Sequence, residues 1–476
     1  MPITLTIDTH LTLTSPPCPP EVFAALRTWA TERYVLENPL YWQARLHRRP
    51  CKHIPRQLVM ATIEEERLVL PRGANLDLKK QLALLCPDEL VTVVDHRAAP
   101  GLSQPVTLSV PLRHYQQVAV DQVALRRDGV VVAPTGSGKT MMAMGIIARL
   151  GLKALVVVHT RTLLDQTCAV IERTLGITPG RLGGGDDDVR EVTVATVQTL
   201  SRRDPQVLRD AFGLVLLDEA HHCPAATFTD VLQGFAARHR VGLTATPERA
   251  DELHPLMYAT LGPELFRVKP GAMVDVGSLV APVVVPVATS FRGGRVMDHG
   301  QMVTRLCDDP ERNQEVVRTI QATRGRHALV LSERVQHCEE LVQMLQERLI
   351  PAHLLVGHMA VEARQAAIAA FLTGPDAVLV ATGSLLGEGF DCPDLDTLYL
   401  VVPSGNLTRT TQALGRVLRP SPGKPAPRVY DFVDALTPGL EKSFRKRLAV
   451  YARHRAEVQE PRPARSFTLA ARLPGV

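Results

Sequence analysis

Lys139 and Thr140 close a glycine-rich stretch, VVVAPTGSGKT, that begins at Val130. Residues of these types at this spacing can hold a nucleoside triphosphate. The N–H groups of such a loop meet phosphate oxygens, Lys139 neutralises the γ-phosphate, and the Thr140 hydroxyl ligates Mg²⁺. Gly136 and Gly138 let the backbone come close without a Cβ in the way, and Thr135 and Ser137 complete the loop. One departure is visible: Ala133 stands at the first loop position, where glycine is usual. Further along, LVLLDEAHH brings two adjacent acids. Asp218 suits the surroundings of a phosphate-bound Mg²⁺, and Glu219 suits polarisation of the water that attacks the γ-phosphate.

Both groups need a strand that ends where the chemistry begins. Val130 to Val132 and Leu214 to Leu217 are apolar runs of the kind buried on both faces of a parallel sheet. The segment MMAMGIIARL supplies helix formers with an apolar face, so the loop sits at a helix N-terminus, where unpaired N–H groups and the helix dipole favour anions. Strands and helices alternate through this region and again from His327 to Val433. There the strands lie in ALVLS, AVLVAT and TLYLVV, with helices in EELVQMLQERL and ARQAAIAAFL. This alternation predicts an α/β fold built on parallel sheets.

The residues DEAH, Asp218 to His221, resemble the superfamily 2 helicases and translocases, and further motifs follow in that family's order. LRHYQ, Leu112 to Gln116, is similar to the adenine-sensing segment, with Gln116 at the place of the base-reading glutamine. HTRTLLDQ and VATVQTL resemble the nucleic-acid-gripping motifs of the first motor domain. GLTATP resembles the motif that couples hydrolysis to domain movement. ATGSLLGEGFDCPDLDTL and QALGRVLR resemble the fifth and sixth motifs. Within the superfamily the pattern is similar to bacterial helicases of the XPB and UvsW type and to the helicase subunits of type III restriction enzymes.

The resemblance implies two tandem RecA-like domains with ATP in the cleft between them. It implies that Gly389 and Asp391 contact the nucleotide and that His221, Thr244, Thr246 and Gln412 couple hydrolysis to movement. By motif position the nucleic-acid contacts are Arg161, Thr196 and Gln198 in the first lobe and Ser332, His358 and Thr382 in the second. Arg416 and Arg419, three apart on a predicted helix, share a face. With Gln412 and Gly415 at the family spacing, they are placed to stabilise charge on the γ-phosphate.

Composition fits a motor. The chain has 476 residues, 45% of them hydrophobic, enough for two or three packed domains. The expected divisions are an accessory α+β domain over 1–105, RecA-like domains over 106–266 and 310–440, strands and a linker over 267–309, and a basic helix with a disordered tail over 441–476. Net charge is only +5, and it is concentrated: Glu441 to Val476 holds nine Lys or Arg against three Glu. In EKSFRKRLAVYARHR, Phe444, Leu448 and Tyr451 fall on one helical face. The charged side either touches DNA phosphates or is simply solvated. Aromatic residues make up 4% of the chain, which favours backbone contacts over base stacking as the main grip.

None of the eight cysteines forms a C-x-x-C pair, which points to a reducing compartment and away from zinc. His47, Cys51 and His53 read as a surface loop, and GGGDDD from Gly183 to Asp188 reads as a solvated turn. MPITLTID lacks a basic leader, and the apolar stretch near Leu279 to Ala288 is broken by Pro282 and Pro286, so a cytoplasmic location without a membrane span is expected. In the first 105 residues, MPITLTIDTHLTLT predicts a strand pair, EVFAALRTWATERYV a helix, and HIPRQLVMATIEEERLVLPRG a hairpin. The NPLYWQARL and LPRG elements resemble an N-terminal region of those helicases that engages DNA; a pure packing module also fits. The expected activity is that of an ATP- and Mg²⁺-dependent DNA helicase or translocase, with 3′ to 5′ polarity implied by the resemblance. Its protein partners would belong to defence or repair. The rivals are a duplex-tracking motor of a restriction or anti-phage complex, an RNA helicase, and a clamp with a dead ATPase.

Overall fold

The computed structural model describes residues 3–47, 50–222, 226–245, 247, 252–294, 299–383, 392–402, 407–437 and 439–467. Contacts divide the chain into two compact units, Met1–Ala133 with Gly138–Arg267, and Pro134–Ser137 with Val268–Val476.

The first unit opens on a small α+β module. ITLTI and HLTLT alternate, so Ile3–Ile7 and His10–Thr14 pair antiparallel with their leucines and isoleucines buried. They sit in a five-stranded sheet ordered Thr62–Ile63, Arg67–Pro71, His10–Thr14, Ile3–Ile7, Val91–Asp95. Helices Pro20–Tyr34 and Asn75–Leu85 contribute Phe23, Leu26, Leu78 and Leu82 to its core. The expected hairpin is formed by Thr62–Ile63 and Arg67–Pro71, whereas Gln57–Val59 pairs with Val35–Glu37 in a separate ribbon. Arg72 of the LPRG element is 1% exposed and donates to both Asp128 carboxylate oxygens and to the carbonyls of Ala237 and Arg238. Asp128 opens the strand that leads into the nucleotide loop. Arg72 therefore latches the module to the motor and is removed from any DNA-facing role.

The motor sheet of this unit has eight strands. Their order is Asp186–Asp188, Gly180–Gly183, Val192–Thr196, Ala154–Val158, Leu214–Asp218, His239–Thr244, Asp128–Val132, Glu264–Arg267. All pairings are parallel except the first, a hairpin turned at Gly184 and Gly185, whose φ values are +68° and +103°. The GGGDDD segment is this hairpin. Parallel pairing brings the carboxyl ends of neighbouring strands, and the loops that follow them, to one edge of the sheet.

The second unit holds a second parallel sheet ordered Ala352–Leu355, Ala377–Thr382, His327–Ser332, Thr397–Leu400, Arg428–Val433, Val283–Ala288, Glu457–Val458. Both motor sheets have the RecA-like α/β form. Arg462–Pro463 also pairs with Val283–Ala288 and a short helical turn follows at Ala464–Ser466, which corrects the expectation of a disordered tail for these residues. Helix Leu440–Arg453 buries Leu440, Val450 and Tyr451, and also Arg447, which donates to both oxygens of Asp431. Phe444 and Leu448 flank this stripe, half-buried, while Lys442, Arg445 and Lys446 face solvent. Among the described residues no helix is long and apolar enough to cross a membrane.

Arg312 and Asp434 form a pair with neither side chain exposed; Arg312 Nε lies 2.7 Å from Asp434 Oδ1, and Thr289 Oγ1 donates to the same oxygen at 2.6 Å. Removing one partner strands a buried charge. Asp434→Ala is expected to destabilise the second unit by about 3–5 kcal/mol. The corresponding fall in its melting temperature, read by calorimetry, is on the order of 10 °C. A fall of only a degree or two would mean that water reaches Arg312 and the pair adds little.

Candidate active site

The nucleotide loop follows strand Asp128–Val132, whose Val130, Val131 and Val132 are buried, and leads into helix Lys139–Leu150. Gly136 and Gly138 have φ of +86° and +77°, a region that favours glycine. A Cβ on Gly138 would lie 2.5 Å from Gln116 Nε2. Gln116 cannot easily retreat, since it is buried and its Oε1 accepts from the Arg113 N–H at 2.9 Å. The glycine thus permits the glutamine side chain to rest on the loop, and Gln116 reaches the site from the start of helix His114–Arg126.

Strand Leu214–Asp218 lies between Ala154–Val158 and His239–Thr244, so Asp218 comes to the same sheet edge as Thr244 and the loop after Val132. Glu219 has φ +49°, a conformation that costs a non-glycine residue on the order of 1–3 kcal/mol and is held only where surrounding contacts demand it. Its N–H donates to Asp218 Oδ1 at 3.0 Å, and its Oε1 lies 3.5 Å from Lys139 Nζ. His221 Nδ1 is 3.3 Å from Glu219 Oε2 and 3.2 Å from the hydroxyl oxygen of the fully buried Thr244. Burial, then the neighbouring Glu219 charge, push the Asp218 carboxyl above the usual carboxylate range, against the pull of Lys139. Lys139, Asp218, Glu219, His221 and Thr244 therefore form one connected polar cluster. Thr246, Gly389 and Asp391 lie outside the described residues.

Among the described residues no group of three or more His, Cys, Asp or Glu could cage a metal ion. The donors available here are the Thr140 hydroxyl and the Asp218 carboxylate, few and all oxygen. Such a set suits a hard divalent cation.

The first-lobe nucleic-acid candidates gather at the ends of two neighbouring strands, since Thr196 pairs with Val158 in the sheet register. Arg161 is exposed at the start of helix Arg161–Leu175. Gln198 Nε2 donates to the His159 carbonyl at 3.1 Å, and Thr196 caps helix Val197–Leu200. In the second unit Ser332 and Thr382 pair across adjacent strands. Ser332 is 2% exposed, with its hydroxyl 2.9 Å from His337 Nδ1 and accepting from the Arg334 N–H, an arrangement that serves the strand–helix turn rather than a phosphate. His358 is exposed, 3.8 Å from Glu339 Oε1.

Helix Leu407–Val417 carries Gln412 and Arg416, but it ends before Arg419. The expected shared helical face is corrected: Pro420 disfavours helical backbone at the residue before it, so Arg419 stands on the loop beyond the helix. Sequence reasoning missed Lys424. Its ammonium donates to the carbonyls of Pro393, Val417 and Arg419 at 2.9, 2.7 and 2.7 Å. Burial pulls this lysine down to about 8, with Asp396, Cys392 and Asp394 opposing.

Residues 109–249 match the family described as the type III restriction enzyme res subunit, and residues 311–421 match the helicase conserved C-terminal domain, together more than half of the chain. The chain is 26% identical over 348 residues to Probable helicase D10 of Escherichia phage T5, covering 72% of this chain and 75% of the relative. It is 38% identical over 158 residues to the DNA 3′-5′ translocase XPB2 of Sulfurisphaera tokodaii, 33% of this chain and 36% of the relative. The chain thus spans between about a third and three-quarters of the length of these relatives. Its fold is like that of an HsdR-subunit fragment of a type I restriction enzyme from Vibrio vulnificus, with TM-score 0.58 at 18% identity over 75% of this chain and 69% of that one. Helicase domains of these families use ATP with a divalent metal in nucleic-acid-dependent hydrolysis, which makes the chain an enzyme of that general kind. The chain belongs to the superfamily 2 helicases, in the group that holds the XPB-type and type III restriction helicases.

Proposed function

We propose that this chain is an ATP-driven DNA helicase or translocase with 3′ to 5′ polarity, acting in the cytoplasm on single strands or duplex junctions. The observation that carries the reading is the cluster joining Lys139, Glu219, His221 and Thr244, because it connects the nucleotide loop to the GLTATP segment. A triphosphate arriving at the loop competes with Glu219 for Lys139. Glu219 is then available to accept a proton from the attacking water, and the change is felt by His221 and, through it, Thr244. Thr140 and Asp218 would hold Mg²⁺, which would supply positive charge to offset that of the phosphates. Gln116, Thr135, Gly136, Ser137 and Gly138 line the nucleotide, with Gly389 and Asp391 contributing from the second domain. Arg416 and Arg419 stabilise the γ-phosphate charge, and Gln412 belongs to the coupling set. Arg161, Thr196, Gln198, His358 and Thr382 contact the strand's backbone, and Ser332 holds the turn on which such contacts depend.

The match to a restriction-enzyme family favours a second reading, a motor that tracks along duplex DNA without parting it. Steady-state ATPase assays with single-stranded DNA, duplex DNA and RNA as activators test the first reading. DNA is expected to raise turnover at least tenfold and RNA to do less; equal turnover with and without any nucleic acid would sink it. Strand displacement without triplex displacement supports the helicase, and the reverse supports the duplex motor.

A further inference from the structure

We infer that Lys424 is a positioning residue for ATP hydrolysis, its ammonium clasping the Pro393, Val417 and Arg419 carbonyls so that the chain carrying Arg416 and Arg419 is fixed against the later part of the fifth motif. The inference rests on the proposed role of those arginines.

Three features support the clasp. First, the helix that carries Arg416 ends at Val417, and the last carbonyls of a helix lack partners within it. Lys424 supplies one to Val417 itself and one to Arg419 just beyond. Second, the third acceptor, Pro393, belongs to a different stretch of chain, and Ser421 Oγ donates to Asp394 beside it, so two tethers join the same two segments. Third, the turn that brings Lys424 back is tight. Gly423 has φ +74°, and the Lys424 N–H donates to the Ser421 carbonyl at 3.1 Å. An ammonium has three donors arranged as a tripod, matching three carbonyls; a guanidinium fork is planar and does not. Arginines that meet a phosphate must be held in place, since a shift of about 1 Å can cost about a hundredfold in rate.

The test uses the full chain, ATP, magnesium and single-stranded DNA, with wild type, Lys424→Met, Lys424→Arg and Arg416→Ala assayed together. Lys424→Met is expected to lower kcat by roughly 10²-fold while KM for ATP stays within about threefold. Lys424→Arg keeps the charge at the helix end, so it is expected to melt close to wild type yet leave kcat low. That variant keeps the test decisive if Lys424→Met folds poorly. Full recovery of kcat in Lys424→Arg would overturn the clasp, and so would wild-type turnover in Lys424→Met beside a large loss in Arg416→Ala. Wild-type turnover in Arg416→Ala would instead remove the arginine reading itself, and this inference with it.

Discussion

Glu219→Gln is expected to lower DNA-stimulated ATP turnover by about 10²–10⁴-fold, the usual worth of a positioned general base. The amide keeps the shape of the carboxylate and can still bond to His221, so the cluster around Thr244 stays assembled. It loses the ability to take a proton from water, and it loses the charge that stands 3.5 Å from Lys139. Freed from that partner, Lys139 meets the phosphates without competition, and KM for ATP should stay level or fall. Lys139→Ala is expected to give the opposite signature, a raised KM along with lost turnover, because the charge proposed to neutralise the γ-phosphate is gone. Single-turnover hydrolysis combined with direct nucleotide binding separates the two. Turnover in Glu219→Gln within a few-fold of wild type would show that another group activates the water.

Much of this site is legible in the sequence because one short run of residues encodes it. A buried valine strand, a glycine loop and a helix that starts on Lys139 require no distant information, and they fold together as read. The two acids are equally local, since a parallel strand must deliver its last residues to the sheet edge where the loops gather. The contact between His221 and Thr244 is different in kind. These residues are 23 apart and meet because Leu214–Asp218 and His239–Thr244 are neighbours in the sheet, a pairing that periodicity does not specify. The likeness to a helicase family named both as coupling residues but said nothing of that pairing.

Where the reading failed, the determinant was backbone or burial. Arg419 fits a helical face by spacing, yet the proline after it ends the helix first. Lys424 left no trace because its partners are carbonyl oxygens, which every residue has. LPRG reads as the end of a hairpin, and nothing local says that Arg72 reaches Asp128, 56 positions away, and is buried there. The same holds for Arg312 and Asp434. Charged residues are usually on the surface, so a pattern of apolar positions cannot reveal which of them the fold will pair inside.

Arg416→Ala is expected to cut turnover by about 10³–10⁵-fold while sparing ATP binding, because an arginine aimed at the γ-phosphate acts on charge that spreads only as the bond breaks. Arg416 is the next-to-last residue of its helix, in which Ala413, Leu414 and Val417 are buried. Arg416→Lys should recover little, since a point charge does not reproduce a planar fork across two oxygens. Arg419→Ala distinguishes the two arginines. Standing past the helix end, Arg419 has its carbonyl fixed by Lys424, and its loss should be the milder of the two if Arg416 makes the principal contact. Equilibrium binding of a fluorescent ATP analogue together with pre-steady-state hydrolysis makes the measurement. Should Arg416→Ala abolish binding as well as turnover, the side chain serves to build the site and some other cation answers the transition state.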